Sequence, residues 1–152
     1  MKLKRMTDYI LNEWFWEDIC GNNTLSDQQK VVRFLNLLLT TTDRIVIIIG
    51  SKFDKKAWYA CREEQHGVGK SFLLGIRQDL SRCKLLKESE VPIFPDELKN
   101  KVKDDDYYLV QAALAVPNSI IVTTDNPLIT SMRETGIPCI HRDELYNQFT
   151  IN

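Results

Sequence analysis

Cysteines at metal-binding spacing are missing from this sequence. Cys20, Cys61, Cys83 and Cys139 stand far apart, no Cys-x-x-Cys pair occurs, and only His66 and His141 could complete a soft metal site. That spacing gives no support to structural zinc. A chain of 152 residues with 43% hydrophobic content can build one ordinary core without disulfides, so the thiols read as reduced and buried, which points to the cytoplasm. Long apolar runs are also missing. The stretch 45–49 is far too short to cross a bilayer, and the basic start Met1-Lys2-Leu3-Lys4-Arg5-Met6 leads into Thr7-Asp8 instead of a signal-type apolar run. The expectation is a cytoplasmic protein with no membrane association.

Charge of one sign is lacking too. Twenty Lys and Arg against 21 Asp and Glu leave a formal charge of −1, which gives no global attraction to nucleic acid. An anionic partner must then be met by local patches. Lys52, Lys55 and Lys56 form one, Arg77, Arg82, Lys84 and Lys87 another, and each reads equally well as a solvated helix face. No repeat or low-complexity tract is present. A phosphate-binding loop is absent as well: Gly67-Val68-Gly69-Lys70-Ser71 ends like one, but Glu64 stands where its first glycine is required.

What the sequence does contain is an alternation of strand-like and helix-like segments over a single domain, 1–152. A first strand is expected at 7–15. Ser26 is a plausible N-cap for a helix over 27–40, whose Val31, Phe34, Leu35 and Leu38 share one face. The β-branched run 44–50 suits a strand covered on both sides, the mark of a parallel sheet. Helices are expected at 55–64, 70–81, 105–116 and 127–135, and strands at 84–86, 120–123 and 137–140. The fold class is therefore α/β, a three-layer sandwich with a mostly parallel central sheet.

The acids carry the chemistry. From Asp106, the residues Leu109, Val110, Ala113 and Leu114 fall at helical spacing, so Asp106 shares the buried face of its helix. A carboxylate there needs something to compensate its charge. In a parallel α/β unit the first turn of a helix lies at the carboxyl edge of the strands, and Asp125 ends the next strand at that edge. Two acids thereby meet in one crevice, where Mg²⁺ or Mn²⁺ is the natural occupant. Each residue also has a plainer reading: Asp104 to Asp106 as acids favoured at a helix start, Asp125 as a turn residue or cap.

The pattern Asp106-x-x-Leu109-x-x-x-Ala113-Leu114, followed by an apolar strand ending Val122-Thr123-Thr124-Asp125, resembles the C-terminal half of PIN-domain ribonucleases. Gly136-Ile137-Pro138-Cys139-Ile140 and Asp143-Glu144-Leu145 resemble the family's final strand and closing helix. The front half departs from the pattern. PIN domains usually begin with an apolar strand ending in Asp, whereas Tyr9-Ile10-Leu11 runs here into Asn12-Glu13, and Glu13-Trp14-Phe15-Trp16 is similar to a PIN-like subgroup that opens with Glu-Trp-x-Trp. The resemblance implies a metal-dependent ribonuclease in which Glu13, Asp106 and Asp125 are catalytic, and Glu13, Asp54, Asp105, Asp106 and Asp125 are candidate ligands for Mg²⁺ or Mn²⁺. It further implies an RNA substrate, a toxin-type endoribonuclease with an antitoxin partner, and a homodimer, the last because Trp14, Trp16, Phe34 and Tyr107 exceed what one small core is expected to bury. Asn12 keeps a second reading open, a degenerate PIN-like module that binds RNA or protein without cutting.

Overall fold

The computed structural model of the chain describes residues 6–63 and 67–149, with the side chains of 60–63, 68, 69 and 73 outside the description. Five strands form one wholly parallel sheet in the order β3-β2-β1-β4-β5. They are β1 (Asp8–Leu11), β2 (Arg44–Ile48), β3 (Cys83–Leu86), β4 (Ser119–Thr123) and β5 (Cys139–His141). Seven α-helices connect or flank them: α1 (Trp14–Cys20), α2 (Leu25–Leu38), α3 (Lys52–Glu63), α4 (Val68–Phe72), α5 (Tyr107–Ala115), α6 (Asn126–Glu134) and α7 (Arg142–Gln148). A π-helical turn, Leu73–Arg77, extends α4.

The layers follow from the period-two alternation of the strands. Tyr9, Leu11, Ile45, Ile47 and Val122 point to one face, where they pack with Phe15, Ile19, Phe34, Phe53, Phe72 and Leu145 of the helices. Ile10, Val46, Ile48 and Ile121 point to the other, against Leu109, Val110, Leu128 and Met132. Because β1 and β2 are buried on both faces, their sequences carry no polar alternation.

The first expected strand is overturned beyond Leu11. Residues 14–20 are helical although Trp14-Phe15-Trp16 is a strand-prone triplet, and tertiary contacts decide the outcome. The Asn12 Oδ1 accepts the Glu13 N–H at 2.6 Å, which turns the chain out of the sheet. Two indoles then anchor the helix: Trp14 Nε1 donates to the Val122 carbonyl and Trp16 Nε1 to the Phe53 carbonyl, each at 2.9 Å. Thr24, not Ser26, caps α2 by accepting the Asp27 N–H. The 70–81 helix is broken, with α4 following Gly67 at φ 74° and the π turn ending before Asp79.

None of the four aromatics expected to drive pairing is left exposed. Trp14, Trp16 and Phe34 are buried within one chain, and Tyr107 stacks on Phe94 with ring centroids 3.7 Å apart. Cys83 and Cys139 are free and buried, and burial pushes both thiols up to about 12. The side chain of Cys61 lies outside the described residues, as does His66.

Asp54, buried at the start of α3, is held by Arg77 through Nε at 2.8 Å and a second nitrogen at 3.1 Å, and it also accepts the Gly50 N–H. Removing one partner of a buried pair strands the other as an uncompensated charge. Arg77→Ala is expected to cost about 3 kcal/mol of stability, read from urea denaturation.

Candidate functional site

The chain runs from β1 outward to β2 and β3, then returns to place β4 and β5 on the other side of β1. Parallel sheets with such a reversal open a crevice outside the carboxyl ends of the strands flanking the switch. A cleft of about 670 Å³ lies there, lined among others by Asn12 after β1, Thr124 after β4, His141 at the end of β5, and Asp105 and Asp106 before α5.

Asn12 is the knot of this crevice. Its Oδ1 also accepts the Tyr108 hydroxyl at 3.2 Å, and its amide donates to Thr123 Oγ1 at 3.3 Å. The side chain thereby joins β1, β4 and α5 at the cleft floor.

The acids around it are held in different ways. Glu13 leads into α1 and is bound by Lys56 at 2.7 Å and Lys52 at 3.0 Å. Burial raises its carboxyl, but hydrogen bonds from the two lysines outweigh that and leave its pKa lowered. Lys52 also reaches Asp105 at 3.6 Å. Asp106 occupies the N-cap position of α5 but makes no side-chain cap. Burial raises its pKa first, and the neighbouring charges of Asp125, Asp105 and Glu13 add to this, against some relief from Lys103. Asp125 caps α6 by accepting the Leu128 N–H at 3.4 Å. Among the described residues neither Asp106 nor Asp125 has an ion-pair partner.

Of the residues expected at this site, Glu13, Asp105 and Asp106 line the cleft, and Asp125 is next to the lining residue Thr124. Asp54 is not brought to it. Both of its oxygens are engaged by Arg77 and Gly50, so the ligand role expected for Asp54 gives way to a structural one.

The basic residues divide similarly. Arg77 is spent on Asp54, and Arg82 on the carbonyls of Leu38 and Thr41. Lys52 and Lys56 face the acids. Two residues on the cleft wall are not among those expected from the sequence. Arg142 bonds Asp18 at 3.2 Å and lies 3.6 Å from Asp27. His141 accepts the Asp143 N–H on Nδ1, which leaves Nε2 as the proton-bearing nitrogen of the neutral ring. Their position just past an expected last strand was the available signal, because that is the edge where Asp125 sits.

Among the described residues no group of three His, Cys, Asp or Glu side chains is gathered tightly enough to hold a metal ion alone. A closed cage of the zinc or calcium kind therefore does not fit. A carboxylate pair does fit Mg²⁺ or Mn²⁺, since such a small hard ion retains several waters and binds through one or two carboxylates. The feature that matches it is the charge of Asp125, which after burial raises the pKa of Asp106 most and which Lys103 offsets only in part.

Comparison with protein-family models, curated proteins and solved structures returns no match for this chain.

A carboxyl whose pKa is raised in the folded state favours folding while protonated. That contribution is full below the unfolded Asp value and is lost as pH rises through the raised folded value. In metal-free buffer Asp106→Asn is therefore expected to raise Tm at pH 7 by a few degrees, with the difference shrinking toward pH 4. Equal melting of both proteins across that range would show that the acids do not crowd one another.

Proposed function

We propose that this chain is a PIN-like, metal-dependent endoribonuclease that hydrolyses RNA phosphodiester bonds in the switch-point cleft. The observation that carries the reading is Asp106 and Asp125, two acids at the carboxyl edge of a parallel sheet, the charge of the second raising the pKa of the first and neither with an ion-pair partner among the described residues. Cations stand around them, with Lys52, Lys56 and Arg142 on the surrounding elements. The cleft is lined by Glu13, Glu17, Asp27, Asp105 and Asp106 against Lys52 and Arg142, a balance that suits a phosphate only when it arrives together with a hard cation.

Asp106 and Asp125 are assigned to hold Mg²⁺ or Mn²⁺, with Asp105 beside them. When bound, such an ion activates water and neutralises charge building on the phosphate. Asn12 keeps the floor rigid through its hydrogen bonds to Thr123, Tyr108 and Glu13. Glu13 fixes the ammonium groups of Lys52 and Lys56 at the cleft, where they can meet phosphate oxygens. His141 can donate through Nε2 to the same anion. None of these groups attacks phosphorus.

A second reading, a degenerate PIN-like module that binds RNA or protein, is favoured by one observation. Two lysines already neutralise Glu13, so that acid has less to gain from an ion. Two partners enter from the resemblance: an antitoxin protein, to be sought in a neighbouring reading frame, and a second copy, to be read by light scattering against the 17.7 kDa of one chain.

Wild type is expected to cut single-stranded RNA with Mn²⁺ or Mg²⁺ and to stop in excess chelator. Asp125→Asn retains the cap, because Asn caps a helix about as well as Asp. It should leave the melting temperature of the metal-free protein unchanged or modestly raised while lowering cleavage by more than about 100-fold, beyond what loss of an outer-shell partner costs. RNA binding without cleavage in any divalent ion would select the degenerate module.

A further inference from the structure

All fourteen aromatic residues of the chain lie among the described residues. Twelve are buried or half-buried, and the two exposed ones, Trp58 and Tyr59, are neighbours on α3, at 53% and 62% exposure. Burying an aromatic ring is strongly favourable, so two adjacent rings left in water in a chain that buries the others need a reason. Position supplies one. Tyr59 is three residues beyond Lys56, four beyond Lys55 and seven beyond Lys52, so the four side chains share one stripe of the helix. Trp58, three residues after Lys55, borders that stripe.

The stripe begins in the cleft, since Lys52 lines it and Lys52 and Lys56 both reach Glu13. It runs about 10 Å along the helix axis away from the acids. Lys55 is exposed and has no ion-pair partner among the described residues. The one acid of α3 between Lys52 and Tyr59 is Asp54, buried against Arg77, so within that span the exposed charges of the helix itself are lysines, of which Lys52 and Lys56 also pair with Glu13. Lysines interleaved with exposed rings form a surface for single-stranded nucleic acid: ammonium groups track the backbone, and the rings stack on bases whatever their identity.

We infer that the Lys52, Lys55, Lys56 and Tyr59 stripe of α3, with Trp58 at its border, is a stacking track that leads single-stranded RNA into the cleft. The inference rests on the proposed nuclease reading and adds the surface by which the single strand is held and its path into the cleft. Duplex RNA, whose bases are already stacked on one another, has no free base face to offer the rings.

The test measures binding separately from cleavage, by fluorescence anisotropy of labelled single-stranded and duplex RNA on full-length protein in the Asp125→Asn background. Tyr59→Ala is expected to weaken single-strand binding at least about five-fold, while Tyr59→Phe keeps it and duplex binding does not change. Lys55→Ala should reduce the slope of log affinity against log salt by about 0.7, whereas Tyr59→Ala should leave that slope unchanged. Equal single-strand affinity in wild-type, Tyr59→Ala and Trp58→Ala rings would overturn the track and assign the exposed aromatics to a protein partner. If those variants bind alike while the chain with native Asp125 still cuts RNA, the track alone falls. A chain that neither binds nor cuts RNA removes both the track and the nuclease reading.

Discussion

A carboxylate taken out of water needs compensation, and three of the four buried aspartates among the described residues find it in arginine, while the fourth, Asp43, accepts the Thr7 N–H. Asp8 in β1 is held by two guanidinium nitrogens of Arg44 in β2. Asp18 in α1 is held by Arg142 and the Tyr146 hydroxyl of α7, and Asp54 in α3 by Arg77 of the π turn. Each pair joins two segments distant in sequence, and an arginine fork meeting a carboxylate edge fixes orientation as well as distance. Asp106 and Asp125 stand outside this scheme. Both lie at the carboxyl edge of the sheet without an ion-pair partner among the described residues, and the charge of Asp125 adds to the burial that raises the pKa of Asp106.

The same constraint separates what could be read from the residues from what could not. The parallel sheet was legible because Ile45 to Ile48 and Ile120 to Thr123 are covered on both faces, and that burial shows as β-branched runs without polar alternation. Asp106 and Asp125 were legible because helical spacing and strand direction alone carry them to one edge. The helix over residues 14–20 was not legible. Its cause is the reach of Trp14 and Trp16 to carbonyls of β4 and α3, and no local pattern encodes contacts across more than 30 residues. Asp54 was misread for a related reason: the arginine that claims it lies 23 positions later.

Glu13 shows how burial and pairing compete in one group. Desolvation alone would favour its neutral form, and two ammonium groups reverse the balance. Its charge then serves to hold Lys52 and Lys56 in place. Asp106 is raised by burial too, but the charges of Asp125 and Asp105 add to that and outweigh Lys103, so it moves the opposite way. Two carboxyls at one edge thereby acquire opposite electrostatic characters, one anchoring cations and one open to them.

The wall formed by α1, Asn23, Asp27 and Arg142 is joined from both ends of the chain, with Asp18 bonded to residues 124 and 128 positions away. Loop closure on that scale comes late when a chain folds as it is made from its amino end. The strands β1 and β2 can pair early, but Asp18 lacks its arginine, and the cleft one of its sides, until α7 has been synthesised and docks. A nascent chain that has not yet made α7 therefore has no finished cleft.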